Sequence, residues 1–454
     1  MRQHVFVLFT LAFVVVCVPS FAADPAELAL AGPYEVGFTS FVLSDSSRPG
    51  DGAAFVDRPI PVYVWYPVDP GSIDSSTPQA VYPLDPLYYT FLTATSENWE
   101  AYGIDRAYQE PDPSTGGPFP LVMFSPGWGA AAWMHTSVGT RLASHGFVVA
   151  VVYHFGDQFW PWEPDFDHLA VASWNRPRDV SFALTDLLSR NAASGNLFHG
   201  LVMPEAVAAA GWSLGGYASM VLTAGDESVC DKFYELGMGP LPDWLCGPSP
   251  PDPRIKAIVP LDGSNQLLYF TELAKVRIPA MGMGQEWGQL ALDPEWASWQ
   301  ARQHAAFSGH PAYRIDVFNT IHQSFSDLCE GVQVLGDVGL FTPDDVAWYL
   351  ANLCDGYTPS AEVHTLVGQY MVAFLDKTLL GNNRYKRLLT PGYALTRQPL
   401  IEFFVTEKRS PQSIDEDWPD DFIYFMHQPG SDTAHAAKNP NGVLGVSRAL
   451  EPLQ

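Results

Sequence analysis

The sequence predicts a mainly parallel α/β sheet with helices on both faces. Short apolar runs without alternation recur along the chain, as in "FVVAVVYH" (147–154), and such runs are typical of strands buried on both faces. Amphipathic stretches lie between them, as in "RPRDVSFALTDLLSRN" (176–191), where Val180, Leu184 and Leu187 share one stripe. This alternation of buried strands and amphipathic helices indicates parallel pairing.

The elements follow in a regular order from residue 34. Two strand-like segments come first, separated by a Gly- and Asp-rich turn, and the alternation begins near residue 119. It ends with a helix that Gly381 closes. The predicted strands are Tyr34–Asp45, Arg58–Asp69, 119–127, Phe147–His154, 206–211, Ile255–Asp262, Ile278–Gln285 and Tyr313–His322; the predicted helices are 134–146, Arg176–Asn191, Leu214–Leu222 and Leu366–Gly381.

The chain of 454 residues divides into three predicted segments. Residues 1–22 have a positive start, an apolar run and a small-x-small end, which predicts a secretory signal and a secreted protein, either extracellular or periplasmic. Residues 23–385 form the α/β domain, with insertions at 155–174 and 227–253. The first insertion is rich in aromatic residues, and we expect it to form a pocket wall. Residues 386–454 form a C-terminal extension for which the sequence assigns no role.

Composition restricts the partners. Fifty acidic residues against 24 basic ones leave a net charge of −26, which disfavours nucleic acid and anionic membrane surfaces. No apolar run after the signal is long enough to span a bilayer, so stable membrane insertion is not expected. The sequence does not indicate an oligomeric state.

Four cysteines remain after the predicted signal. An even number in an exported chain favours disulfides, and pairing sequence neighbours predicts Cys230–Cys246 and Cys329–Cys354. The chain has no C-x-x-C or H-E-x-x-H spacing, so we expect no metal and no cofactor.

One motif carries a catalytic signal. Residues 211–215 read G-W-S-L-G, with an apolar strand before them and a helix after them. In this context Ser213 occupies a tight strand-to-helix turn with its hydroxyl exposed at the sheet edge. The same turn directs the Leu214 N–H and the positive end of the following helix at the site. We therefore expect Ser213 to be a nucleophile.

A serine nucleophile requires a general base and an acid that orients it. In this architecture the chain order is Ser, acid, His. Six histidines follow Ser213, and only His322 lies at the end of a predicted strand. Two acids follow predicted strands at suitable positions, Asp262 and Glu286, and the local sequence leaves both open.

The tetrahedral oxyanion requires two backbone donors. Leu214 N–H is one, because it follows the nucleophile. The second is expected from the loop after the strand at 119–127, where Gly127, Trp128 and Gly129 let the backbone approach the substrate, with Trp128 N–H as the donor.

The chain resembles the plasma-type platelet-activating factor acetylhydrolases and their dienelactone-hydrolase-like relatives, which have the α/β-hydrolase fold. The matching blocks are "PLVMFSPGWGAAAWMHTSVGTRLASHGFVVAVVYHFGD", "NRPRDVSFALTDLL", "AGWSLGG", "IVPLDGS", "IPAMGMGQEW" and "FNTIHQSFSD". The resemblance implies Asp262 as the acid, with Glu286 as the alternative, His322 as the base, and Trp128 and Leu214 as oxyanion donors.

The chain departs from that family at two positions. The family commonly has His before the oxyanion glycine and before the nucleophile, where this chain has Pro126 and Trp212. Both variants resemble secreted cutinase-type polyester hydrolases. The sequence therefore predicts a serine carboxylester hydrolase acting on lipid, polymer or small-molecule esters with apolar acyl or aromatic groups. The alternatives are a phospholipase A2 activity like that of the acetylhydrolases and a non-catalytic binding protein on a hydrolase scaffold.

Overall fold

The computed structural model describes residues 24–50, 52, 54–157, 169–227, 229–235, 241, 243–285, 294–407 and 444–446. The predicted signal at 1–22 lies outside these ranges. Within them the strands are β1 Glu35–Pro49, β2 Asp57–Val68, β3 Val81–Pro83, β4 Thr93–Thr95, β5 Tyr108–Gln109, β6 Phe119–Ser125, β7 Val148–Val152, β8 Val202–Trp212, β9 Ile255–Leu261, β10 Ala280–Gln285, β11 Ala312–Val317, β12 Ile401–Thr406 and β13 Leu444–Val446. The helices are α1 Ser96–Glu100, α2 Thr136–Ser144, α3 Leu169–Ala192, α4 Leu214–Ala224, α5 Val229–Glu235, α6 Phe270–Leu273, α7 Pro294–Ala306, α8 Leu328–Asp337, α9 Pro343–Leu353, α10 Ser360–Leu380 and α11 Pro391–Arg397.

One large sheet organises the molecule. Its strand order is β13–β12–β11–β10–β9–β8–β6–β7–β2–β1–β5. The central strands from β7 to β11 pair in parallel, and the antiparallel strands β2 and β12 flank them. The predicted mainly parallel α/β sheet is confirmed.

Alternate residues along a central strand face two separate cores. In β6, Leu121 and Met123 pack with α3 and α4 on one face of the sheet. Val122 and Phe124 pack with α2, α8 and α10 on the other face. Because successive strand side chains point to opposite faces, a strand covered on both sides becomes apolar throughout, as the sequence predicted.

The carboxyl ends of the parallel strands bring distant segments together. β6 ends at Ser125, β8 at Trp212 and β9 at Leu261, so the segments that follow them share one edge of the sheet. β11 ends at Val317, earlier than the predicted end at His322. The chain turns there because Thr320 Oγ1 donates to the Val317 carbonyl and Asn319 adopts a φ of 50°. His322 instead begins a 3₁₀ turn.

The C-terminal segment contributes to the main sheet. β12 lies within residues 386–454 and pairs antiparallel with β11 from Ile401 to Thr406. The helix before the segment ends as predicted, with Gly381 in the left-handed conformation after α10. Residues 408–443 and 447–454 lie outside the described ranges.

Candidate active site

Ser213 lies in the turn between β8 and α4 with a strained backbone. Its φ is 55° and its ψ is −121°, a conformation that costs a non-glycine residue about 1–3 kcal/mol. Backbone hydrogen bonds hold the turn. Ser213 N–H donates to the Leu261 carbonyl at 3.0 Å, and the Ser213 carbonyl accepts from Gly216 at 2.9 Å and from Ser264 at 3.0 Å. The neighbouring strand therefore helps to stabilise the strained conformation.

The two glycines of the motif are required by close backbone packing. A Cβ atom on Gly215 would lie 2.6 Å from the Pro126 carbonyl oxygen. A Cβ atom on Gly211 would lie 2.6 Å from the Ser125 carbonyl oxygen. Both distances are shorter than any stable contact, so side chains at these positions would separate the serine turn from the loop after β6.

His322 and Asp262 are directly hydrogen-bonded. The His322 Nδ1 atom lies 2.6 Å from Asp262 Oδ2. The Asp262 side chain is 1% exposed, whereas the His322 side chain is 27% exposed. A carboxylate accepts, so Nδ1 carries the proton and Nε2 is left as the basic nitrogen of the ring. This is the tautomer that a general base for a serine requires.

Asp262 has further partners that orient its carboxylate. Gln285 Nε2 donates to Oδ2 at 2.8 Å, and the Gln285 backbone N–H donates to Oδ1 at 3.3 Å. Asp262 itself has a φ of 42°. The alternative acid, Glu286, follows Gln285 and lies outside the described residues.

Trp212 contacts the histidine in two ways. Its Nε1–H donates to the His322 backbone carbonyl at 2.9 Å, and its ring centroid lies 4.9 Å from that of His322. The sequence alone marks Trp212 only as a departure from the family that the chain resembles. The position of Trp212 next to Ser213 in the chain was the sequence signal that its side chain could contact the loop carrying His322.

The two predicted oxyanion donors come from segments that contact each other. Leu214 is the first residue of α4, where backbone N–H groups have no partner within the helix. Trp128 lies in the loop after β6, next to Gly127. A Cβ atom on Gly127 would lie 2.5 Å from the Trp212 ring and 3.2 Å from Ser213 Cβ. Glycine at this position therefore lets the Trp128 loop approach the serine turn.

A second Ser–His–Asp set lies beneath this loop. Ser125 Oγ is 2.8 Å from His154 Nε2, and His154 Nδ1 is 2.9 Å from Asp179 Oδ2. All three residues are at most 1% exposed, so an ester carbonyl has no access to Ser125. This set was not predicted from the sequence, because the candidate bases were the histidines that follow Ser213. The signal was a serine and a histidine at the ends of successive predicted strands.

One cluster among the described residues has metal-ligand chemistry. Potential ligand atoms of Asp327, Glu330 and His364 lie within 4.8 Å of one another. Asp327 accepts from the backbone N–H of Ser137 at 2.8 Å and from its hydroxyl, while Glu330 accepts from Ser360. Burial raises the pKa of Asp327 to about 7. These bonds link α8 to α2 and α10 and thereby anchor the segment that carries His322.

Both predicted disulfides are present. Cys230 pairs with Cys246 and Cys329 pairs with Cys354, with Cα–Cα distances of 4.9 and 5.9 Å. Disulfides fit an extracellular protein. None of the helices in the described ranges is long and apolar enough to cross a membrane.

The two insertions contact each other through aromatic side chains. The Trp174 and Trp244 rings meet edge to face at 5.0 Å. The Arg178 guanidinium lies 3.5 Å from the Trp174 ring centroid. Trp244 is 49% exposed. Residues 158–168 of the first insertion lie outside the described ranges.

Comparisons with known proteins agree with this fold. Residues 105–158, which include the Trp128 loop, match the family model "Platelet-activating factor acetylhydrolase, isoform II". The platelet-activating factor acetylhydrolase of Cavia porcellus is 28% identical over 134 residues, which cover 27% of each chain. A ferulic acid esterase from Streptomyces cinnamoneus is similar in structure, with 25% identity and a TM-score of 0.53 over 78% of this chain and 92% of that one.

The sequence matches thus cover about a quarter of the curated relative, whereas the structural match covers most of both chains. The parallel sheet, the serine turn and these likenesses agree with one another: the chain has the α/β-hydrolase fold and is similar to the platelet-activating factor acetylhydrolases and esterases.

Proposed function

We propose that the chain is a secreted serine carboxylester hydrolase. The observation that carries the proposal is the 2.6 Å hydrogen bond between Asp262 and His322 at the sheet edge that also holds the strained Ser213 turn. His322 Nε2 takes the Ser213 proton as the hydroxyl attacks the ester carbonyl, and Asp262 stabilises the resulting imidazolium. The Trp128 and Leu214 N–H groups hold the oxyanion.

The same groups complete acylation and then carry out deacylation. The imidazolium of His322 returns the proton to the leaving alcohol, which departs and leaves an acyl group on Ser213. A water molecule then gives a proton to His322 and attacks the acyl carbonyl. When the second oxyanion collapses, His322 returns that proton to Ser213 Oγ and the acid is released. The chemistry requires no cofactor.

Aromatic or apolar acyl esters are the proposed substrate class. Trp212 packs on the base, and Trp128 belongs to the oxyanion loop. Trp174 and the exposed Trp244, from the two insertions, form an aromatic pair. The similar solved structure is a ferulic acid esterase, and ferulic acid is an aromatic acid. Together these observations favour hydroxycinnamate esters such as methyl ferulate.

A short-acyl phospholipase activity is the second candidate. It is favoured by the family model over residues 105–158 and by the curated acetylhydrolase relative. Methyl ferulate, p-nitrophenyl acetate and a phospholipid with a 2-acetyl group should be compared at equal concentration. We expect kcat/KM to be highest on an aromatic or apolar ester. A preference for the phospholipid would favour the second candidate.

The test of catalysis is release of p-nitrophenol from short-chain esters. Ser213→Ala should reduce the rate to the background of the buffer, whereas Ser189→Ala, an exposed serine on α3, should retain it. Full activity in Ser213→Ala would contradict the assignment of the nucleophile. Hydrolysis by neither the wild type nor any variant would favour a non-catalytic binding protein.

The secretion proposal has a separate test. When the full chain is expressed in a cell with a secretory pathway, the exported protein should begin at Ala23 in N-terminal sequencing. Retention of an intact N-terminus inside the cell would contradict it.

A further inference from the structure

A buried arginine lies behind the loop that carries Trp128. Arg176, in α3, is 0% exposed. Its Nη2 donates to the Gly127 carbonyl at 2.8 Å, and its Nη1 donates to the Pro126 carbonyl. Two consecutive carbonyls of the loop are therefore held by the fork of one guanidinium, which has fixed donor directions.

Holding the Gly127 carbonyl also determines the direction of the next N–H. The cis peptide bonds among the described residues precede Pro118 and Pro311, so the bond between Gly127 and Trp128 is trans. In a planar trans peptide the C=O and the following N–H point in opposite directions. With its carbonyl held by Arg176, this peptide directs the Trp128 N–H to the opposite side. A hydrogen bond to the carbonyl also polarises the peptide and strengthens its N–H as a donor.

Arg176 is itself held in place by two side chains. Its Nε donates to Asp157 Oδ2 at 2.6 Å, and Asp157 is also buried. Its Nη1 donates to Ser125 Oγ at 3.3 Å. Removal of one partner of such a buried charged pair is costly, so Arg176 has little freedom to leave the loop.

The buried Ser125–His154–Asp179 chain fixes the direction of the hydrogen bond at Ser125. Burial raises the pKa of Asp179, but Arg58 and then Arg48 outweigh burial and hold that pKa well below its usual range. Asp179 is therefore a carboxylate that accepts from His154 Nδ1. Burial lowers the pKa of His154 to about 3, so its ring is neutral and Nε2 accepts.

The Ser125 hydroxyl must then donate to His154, which leaves its lone pairs to accept from Arg176. In the series from Ser125 to Asp179, each donor has one compatible acceptor. A series with a single hydrogen-bond direction has one low-energy arrangement, which makes it a rigid support for the loop.

We infer that Arg176 is a positioning residue for the oxyanion hole, held by Asp157 and by the Ser125–His154–Asp179 chain so that the Trp128 N–H meets the developing oxyanion. The inference rests on the proposed function, because it assigns a catalytic role to the Trp128 N–H. Arg176 does not touch the substrate; it acts through the peptide between Gly127 and Trp128.

The test compares Arg176→Lys with wild type on p-nitrophenyl acetate. Lysine keeps the charge but loses the fork that holds two carbonyls. We expect kcat to fall by about 10²-fold, as when one oxyanion donor is lost, with KM within about twofold. Ser213 converts an aryl trifluoromethyl ketone into a tetrahedral oxyanion. The inhibition constant of this ketone should rise by the same factor by which kcat/KM falls. Arg190→Lys is the matched control, because Arg190 forms a partly exposed ion pair with Asp186 on the same helix.

Ser125→Ala provides a second variant if Arg176→Lys does not fold. It removes one neutral hydroxyl and should lower kcat several-fold, again without a matching change in KM. Unchanged kcat per folded molecule in either variant, with a lower melting temperature, would overturn the inference and reduce Arg176 to a structural role. Because Ser213→Ala is assayed in parallel, failure of the proposed function would appear as inactive wild type instead.

Discussion

Asp262 Oδ2 lies 2.6 Å from His322 Nδ1, although 60 residues separate the two in the chain. The carboxylate follows β9, and the imidazole begins a 3₁₀ turn after β11, with β10 between the two strands. The reach across β10 is possible because Gln285, the last residue of β10, turns its side chain to Asp262 and holds the carboxylate in line with the ring. The pair is therefore a product of three neighbouring strands.

Asp262→Asn should lower kcat by about 10⁴-fold, with a smaller change in KM, because the amide favours the wrong tautomer of His322. The measurement is steady-state hydrolysis of p-nitrophenyl acetate near pH 7.5. Glu286→Gln is the matched control, since it removes the other candidate acid, and it should retain most of the activity. A larger loss in Glu286→Gln would assign the acid to Glu286.

Trp212→Phe should lower kcat about fivefold while leaving the fold intact. Phenylalanine keeps a ring beside His322 but loses the 2.9 Å hydrogen bond to the His322 carbonyl, which is worth about 1 kcal/mol. The comparison is kcat for the two proteins, with melting temperature as the check on folding. Trp348→Phe, an exposed tryptophan, is the control. Equal kcat values for Trp212→Phe and wild type would remove Trp212 from the positioning of the base.

The sheet and the serine turn were predictable because both depend on local patterns. Apolar runs such as Val148–Val152 identify buried strands, and glycines at 211 and 215 identify a turn where backbones meet. The disulfide pairs were predictable because each joins sequence neighbours. In these cases the residues that determine the structure are close together in the chain.

The parts that sequence reasoning left open depend on long-range geometry. The choice between Asp262 and Glu286 depends on which carboxylate reaches His322 across β10, and local sequence does not encode that distance. The early end of β11 depends on the turn at Asn319. Arg176 and His154 were read as helix and strand residues, because nothing local indicates that they meet beneath the Trp128 loop.

Removal of the Cys329–Cys354 disulfide should destabilise the protein by roughly 3.5 kcal/mol, the chain-entropy value for its sequence separation of 25 residues. The double serine variant should melt several degrees lower yet keep its kcat at 25 °C, because Asp327 still bonds Ser137 and anchors the His322 segment. Differential scanning calorimetry with and without dithiothreitol measures the effect.

The corresponding double variant at Cys230 and Cys246 is the control for a bridge in the insertion. Dithiothreitol should lower the melting temperature of the wild type by reducing both bridges. In each double variant it should lower the melting temperature by less, because only one bridge remains to be reduced. An identical melting temperature for wild type and the Cys329–Cys354 variant would contradict a stabilising role.

Stability should fall as the pH falls from about 6.5 to 4, because three histidines are buried in neutral form. Burial lowers the pKa of His135 and His154 to about 3 and that of His304 to about 4, whereas unfolded histidine has a pKa near 6.5. At pH 5 the unfolded chain therefore binds about three more protons at these sites than the folded one. Asp327 has the opposite effect: burial raises its pKa to about 7, so at pH 5 the folded chain binds about one more proton at this site than the unfolded chain.

The unfolded state therefore binds about two more protons than the folded state. Near pH 5 the free energy of unfolding should fall by roughly 3 kcal/mol for each unit by which the pH is lowered. Urea unfolding at pH 7, 6 and 5 measures this slope. His304→Gln keeps a donor for the Ala312 carbonyl and should reduce the slope by the contribution of about one proton. His199→Gln, at an exposed site, is the control and should leave the slope unchanged. Stability that stays constant from pH 7 to 5, or an equal slope in His304→Gln, would contradict the burial of neutral histidines as the source of acid sensitivity.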